Sequence, residues 1–469
     1  MKNPLAFIVL ASALSTCVTA AQPLSKRIDH HIAAVMKAHN VPGLSLAVIK
    51  DGKVIKSGVY GLANLNFDVP VKSDTRFLLA SLTKQFTAAG IMVLVQDGKI
   101  GLDDPISKYL SDTPDVWKGI TVRNLLTHTA GLKDRFESSN ALDWLLTYTT
   151  SAMYVAAKKT PPDFAPGQQW QYSDQGYFLL GMIIERVSGE AYDKFLKERL
   201  FKPLGMNDTA VVNQNEIQKN LASGYRSFGA KLLNNRRSTE YGVVSHFGMI
   251  STISDLAKWD AALDTNQPLS AASKKMMWTE ASLADGSTVN ASTWSYGFGW
   301  FLGSVFGHRV VQHSGSTGTA MYRLPDDKIT VIVLTNLDLF DAPGVASDIA
   351  SMLVPDLAWM THKPANDPNP SFTSNLKAEL IRIAGGKSDP VLYTEAFGKG
   401  MAAAAPTQKA VFAQMGPLSN LDYLATDIVG NNRLLRYRAV YKNLTVDYSV
   451  TLNRDNRVAN LGGEPEGKS

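Results

Sequence analysis

Two kinds of apolar spacing alternate along the chain. Leu44–Lys50 and Lys53–Gly58 are short runs rich in Val and Ile around Asp51-Gly52, a two-residue turn signal, and they predict a β-hairpin within 42–64. A helix follows over Leu82–Gln96, apolar on nearly every side (Phe86, Ala89, Ile91, Val93, Leu94, Val95), with Gly98 as its stop. Thr121–Thr129 predicts a second helix, ending before Gly131. Helical patterns and polar loops then alternate from 132 to 290; Tyr177–Val187, closed by Gly189, and Asp255–Leu263 are the clearest helices. β-Branched runs return at Arg309–Ser314, Thr319–Leu324 and Lys328–Thr335, with Pro325-Asp326-Asp327 as a turn between the last two. Strands at both ends with helices between predict an α+β domain. Its antiparallel sheet would pair the first hairpin with the last three strands, flanked by helices.

The Pro- and Asn-rich stretch 363–372 reads as a linker. The expected organisation is a segment 1–21, a main domain 22–360, a linker 361–373 and a small C-terminal α+β domain 374–469. The last of these opens on a helix and ends on strands at Leu434–Tyr441 and Thr445–Leu452. Lys2, the apolar run Leu5–Leu14 and the small residues Val18-Thr19-Ala20 read as a signal peptide, too short to span a bilayer. The expected location is therefore outside the cytoplasm, periplasmic or secreted. Leu14-Ser15-Thr16-Cys17 offers an alternative, a lipid anchor on Cys17, although Thr16 suits that box poorly.

Hydrophobic residues make up 45% of the 469 and charged residues 19%, which fits a large folded core. The net charge of +5 is scattered, without a basic block, so nucleic acid is not an expected partner. The only cysteine, Cys17, falls in the signal segment, and the mature chain would have neither disulfide nor thiolate chemistry. There is no His-Glu-x-x-His, Walker or dinucleotide motif, so no metal and no cofactor is expected, and no Gly-x-Ser-x-Gly elbow. No stretch is long and apolar enough for a membrane span. The oligomeric state is left open.

Three short motifs carry candidate chemistry. Ser-x-x-Lys arises by chance about twice in such a length, and indeed occurs at Ser81–Lys84 and Ser374–Lys377. Only the first opens an apolar helix. There Lys84 would share a face with Ser81 and, desolvated at the positive helix end, would tend toward a neutral amine. A capping serine with a snorkelling lysine is the alternative. Tyr172-Ser173-Asp174 precedes the helix at Tyr177, so Tyr172 could relay protons; alternatively it is a packed aromatic, with Asp174 as helix cap. His313-Ser314-Gly315-Ser316 ends a strand in a turn whose amides could face an oxyanion, or is a plain strand end. His128 reads as a structural residue facing a negative helix end.

The order Ser81-x-x-Lys84, Tyr172-Ser173-Asp174, His313-Ser314-Gly315 resembles the serine β-lactamases, DD-peptidases and related esterases, nearest the class C branch. Leu125–Leu132, Pro166-Gly167, Pro203–Met206, Ser251-Thr252 with Asp255-Leu256, and Tyr296–Trp300 extend the likeness over residues 28 to 355. The resemblance implies a β-lactamase/transpeptidase-like fold with a helical subdomain. It implies Ser81 as acylated nucleophile, and Lys84 and Tyr172 as the groups that share its proton. The amides of Ser81 and Ser316 would form an oxyanion hole. Asp174, His313, Ser314 and Gly315 would face substrate, whose backbone could pair along Val310–Ser314. Two departures stand out. Asp174 replaces a frequent Asn; its carboxylate would favour a charged Lys84, or Asp174 is itself protonated, so the base is left open between Lys84 and Tyr172, with more weight on Tyr172. His313 replaces a Lys and holds a substrate carboxylate less well. The implied activity is hydrolysis of a small ester or amide. The alternatives are a D-amino-acid peptidase or DD-carboxypeptidase on cell-wall-type peptides, then a β-lactamase, and last a non-catalytic penicillin-binding-like sensor.

Overall fold

The computed structural model describes residues 23–133, 148–213, 215–229, 231–235 and 243–466. The export segment expected at 1–21, with Cys17, lies outside the described residues. No helix among the described residues is long and apolar enough to cross a membrane.

Helix α1 (Leu24–His39) leads into strands β1 (Gly43–Lys50) and β2 (Lys53–Asn64). Asp51 and Gly52 take left-handed φ values of 50° and 71°, the pair a tight hairpin turn requires. Late in the chain come β3 (Phe301–Val305), β4 (His308–Gly315), β5 (Thr319–Leu324) and β6 (Ile329–Thr335). Together they build one antiparallel sheet in the order Val69–Pro70, β2, β1, β6, β5, β4, β3, Ser295–Tyr296. The join between the two ends of the chain is β1 on β6, Leu44 opposite Thr335 through Lys50 opposite Ile329.

Period two sorts the side chains of this sheet into two cores. Leu44, Leu46 and Val48 share one cluster with Val331 and Val333, under α1 and helix Ala342–Ser351. Ala47, Ile49, Ile332 and Leu334 enter the other, against the helical region. At the centre of that second core runs α2 (Thr83–Gln96), buried from Thr83 to Leu94. Packed on it is the helix Asp174–Ser188, here α4, which in turn carries α3 (Val122–Leu126). α3 is shorter than the helix expected over Thr121–Thr129. Thr121 and Asn124 cap its start reciprocally, and His128 adopts a left-handed φ of 58° that stops the helix early.

The stretch expected as a linker to 373 is already helical from Pro370, capped by Asn369, and two helices (Pro370–Ala384 and Glu395–Met415) accompany a four-stranded antiparallel sheet, β7 (Leu418–Val429), β8 (Asn432–Tyr441), β9 (Thr445–Leu452) and β10 (Val458–Pro465), in chain order. This small sheet domain grips the main sheet at the β3–β4 turn. Arg436 pairs with Asp427 at 2.6 Å, both side chains almost fully buried, and donates to the Ser304 carbonyl at 2.8 Å. Asp427 in turn accepts the amides of Phe306 and Gly307.

Candidate active site

Ser81 sits in a single 3₁₀ turn, Ala80–Leu82, that feeds directly into α2. The turn is held from two sides. The Leu79 amide donates to the Met249 carbonyl at 2.7 Å, continuing the pairing of Phe77–Leu78 with Met249–Ser251. From the main sheet, the hydroxyls of Thr317 and Thr319 donate to the carbonyls of Leu78 and Leu79 at 2.6 and 2.8 Å. Ala80, next to Ser81, has a φ of 48°, a conformation that costs an L-residue about 1 kcal/mol or more. Gly315 is what admits so close an approach: a Cβ there would lie 2.1 Å from the Leu79 carbonyl oxygen and 3.1 Å from the Ala80 side chain. The end of β4, and Ser316 after it, are thereby brought to the Ser81 turn.

Lys84, one helical turn on, is fully buried. Its Nζ has three acceptors: Ser81 Oγ at 3.1 Å, Asp174 Oδ1 at 2.5 Å and the His246 carbonyl at 2.9 Å. An ammonium would donate to all three, whereas a neutral amine would donate to two and accept the Ser81 hydroxyl proton. The Asp174 carboxylate beside Nζ favours the charged form, against the desolvation that favours a neutral amine.

The helix cap is Ser173, whose hydroxyl accepts the Gly176 amide, and Asp174 is the first residue of α4. Tyr172 precedes this cap. Its ring lies against the rings of His128 (centroids 4.3 Å apart), Phe301 (6.4 Å, stacked) and His313 (6.2 Å). The Lys84 Nζ stands 4.7 Å from the Tyr172 ring centre.

His313 is buried and both its nitrogens are engaged within the protein: Nδ1 with the Ser314 carbonyl at 2.8 Å and Nε2 with the Tyr296 hydroxyl at 3.0 Å. Burial, reinforced by the Lys84 ammonium, pushes its pKa down to about 3, so the ring is neutral. In this arrangement the His313 ring holds Tyr296. Pairing of a substrate along Val310–Ser314 is narrowed. Val310, Val311 and Gln312 already face Gly303, Leu302 and Phe301 of β3, and only the end of β4 from His313 onward extends past that partner. Ser314 is half-buried at that end. The second Ser-x-x-Lys stands far from this constellation, Ser374 bonded to the Pro370 carbonyl and Lys377 to the Ser419 carbonyl.

Several contributors escaped the motif reading. His246 enters through its backbone carbonyl, which leaves no trace in residue type. Tyr296 and Gly299 fall within Tyr296–Trp300; a Cβ on Gly299, whose φ is 77°, would meet the Lys84 carbonyl at 2.8 Å, so only glycine lets this turn lie on the start of α2. His128 was expected as a structural residue facing a negative helix end. It is buried, burial holds its pKa well below the ordinary value, and Nδ1 accepts the Ser173 amide.

A profile of the family described as Beta-lactamase matches residues 28–352. The chain is 33% identical to penicillin-binding protein 4* of Bacillus subtilis over 324 residues, 64% of this chain and 68% of that protein. Among solved structures, it resembles an octameric penicillin-binding protein homologue from Pyrococcus abyssi, with a TM-score of 0.64 and 23% identity over 92% of this chain and 94% of the other, a likeness of fold. It also resembles a D-amino acid amidase from Ochrobactrum anthropi SV3, with a TM-score of 0.59 and 27% identity over 71% of this chain and 97% of that one.

Proposed function

The chain belongs to the Beta-lactamase family as a serine hydrolase, and from there we propose that it cleaves small neutral esters or amides through an acyl-enzyme on Ser81. The observation that carries this reading is the placement of Lys84 Nζ, 3.1 Å from Ser81 Oγ and 2.5 Å from the Asp174 carboxylate, which favours an ammonium there. With all three of its protons engaged, Lys84 is a poor proton acceptor. Tyr172, whose ring centre lies 4.7 Å from Lys84 Nζ, is then the base. Tyr172 takes the Ser81 hydroxyl proton as Oγ bonds to the substrate carbonyl carbon. It returns that proton to the departing alcohol or amine as the old bond breaks. Water reverses the sequence and frees the acid. The amides of Ser81 and Ser316 stabilise the oxyanion, and Ser314 and Gly315 border the substrate. Asp174 keeps Lys84 charged, and His313 holds Tyr296 in the aromatic wall. The signal-like N-terminus supports action outside the cytoplasm.

A neutral His313, where a cation would meet a substrate carboxylate, favours uncharged substrates over penicillins. A D-amino-acid peptidase or amidase is the second reading, supported by the likeness to the D-amino acid amidase. The test is intact-mass and turnover measurement with short-chain aryl esters and with benzylpenicillin, for the wild type and Ser81→Ala. Ester turnover lost in Ser81→Ala supports the first reading. A lasting penicillin adduct without ester turnover supports the second. If neither substrate reacts at Ser81, both fail.

A further inference from the structure

Tyr172 lies on a loop between the left-handed Gly167 and the start of α4, and a loop side chain must be held if it is to serve as a base. One residue reaches it from three sides. The carbonyl oxygen of His128 accepts the Gln171 amide at 3.0 Å, and its ring Nδ1 accepts the Ser173 amide at 3.1 Å. The amides on both sides of Tyr172 thus end on His128. The imidazole also lies against the Tyr172 ring, 4.3 Å between centroids at 37°, and against Tyr296 at 4.7 Å. We infer that His128 is a positioning residue for Tyr172, bracketing its backbone and supporting its ring so that its hydroxyl stays on the Ser81 reaction path. The inference rests on the reading of Tyr172 as the base.

The geometry sets what His128 must be chemically. Nδ1 accepts a hydrogen bond, so in the neutral ring the proton is on Nε2, and an imidazolium would turn a second N–H toward the Ser173 amide. The left-handed φ of 58° aims both carbonyl and ring at the same loop. Asparagine tolerates that conformation well and carries an acceptor near the position of Nδ1; phenylalanine keeps an aromatic ring but has no acceptor.

The test compares His128→Phe, His128→Asn and Tyr172→Phe in the full-length protein, measuring melting temperature and both kcat and KM on an aryl ester. His128→Phe is expected to lower kcat by about tenfold or more, the scale of a displaced catalytic group, with KM changed less than about twofold. His128→Asn should recover most of that loss, and Tyr172→Phe should be nearly inactive. If His128→Phe turns over like the wild type while Tyr172→Phe is inactive, His128 does not position Tyr172. If His128→Asn falls as far as His128→Phe, the accepted hydrogen bond is not what matters and the inference fails. Should Tyr172→Phe itself keep wild-type kcat, the base is wrongly assigned and His128 loses its role with it.

Discussion

The ammonium of Lys84 and the carboxylate of Asp174 meet at 2.5 Å, with Lys84 fully buried and Asp174 about one-fifth exposed. Removing the carboxylate leaves a buried cation without its counter-ion. Asp174→Ala should destabilise the protein by about 3 kcal/mol, measured by denaturant unfolding. Asp174→Asn, which keeps an acceptor oxygen, should cost less. Equal stability of Asp174→Ala and the wild type would mean that Lys84 is not charged in the fold.

Gly315→Ala tests how tightly the Ser81 turn is held. The added methyl meets the Leu79 carbonyl and the Thr319 hydroxyl, and the turn must move. A loss of about a hundredfold in ester turnover is expected, the scale of a displacement of roughly 1 Å at a reacting group. The accompanying stability loss should be about 1–3 kcal/mol. Unchanged turnover would show that the turn has slack.

Acid should weaken the fold before its carboxylates titrate. Burial lowers the pKa of both His246 and His313 to about 3 from an ordinary 6.5, and lowers that of His128 in the same direction. Below 6.5 the unfolded chain binds these protons and the folded chain does not. The stability these groups contribute is therefore complete above 6.5 and is lost as pH falls toward 3, by up to about 1.4 kcal/mol per pH unit for each histidine. Melting temperature should fall steadily from about pH 7 to about pH 5, less steeply in His246→Asn. A flat profile over that window would contradict the neutral burial of these rings.

Arg436 offers a test of how the small sheet domain is attached. Arg436→Ala strands Asp427, which is about 1% exposed, with only backbone amides for partners. The expected cost is about 3–5 kcal/mol in unfolding free energy, with faster proteolysis in the 363–369 segment. If stability and proteolysis are both unaffected, the contact at the β3–β4 turn does not hold the two parts together.

Much of this architecture can be read locally. The Asp51-Gly52 hairpin and the strands at Thr319–Leu324 and Lys328–Thr335 announce themselves through turn residues and β-branched runs, because those signals act over a few positions. β7 is silent because its ladder slips at Leu418/Asn420 and again at Tyr423/Ala425, breaking the alternation that marks a strand. β3 is only five residues long and contains Gly303. At the site, Ser81, Lys84 and Asp174 are legible as motifs, yet the state of Lys84 is not. Its apolar helix argues for a neutral amine, and the carboxylate that opposes this lies 90 positions away. The hold of His313 Nε2 on the Tyr296 hydroxyl is likewise invisible in the sequence, because it joins residues 17 positions apart on different strands.

The three acceptors around Lys84 belong to the Ser81 turn, the first residue of α4 and the backbone at His246, segments that have no reason to meet in an unfolded chain. Reactivity at position 81 is then a property of the whole domain. A covalent reagent that reacts there would count assembled molecules and pass over chains that are present but not folded. The stoichiometry of such labelling, followed through a denaturant titration, should track the native fraction as a spectroscopic signal does.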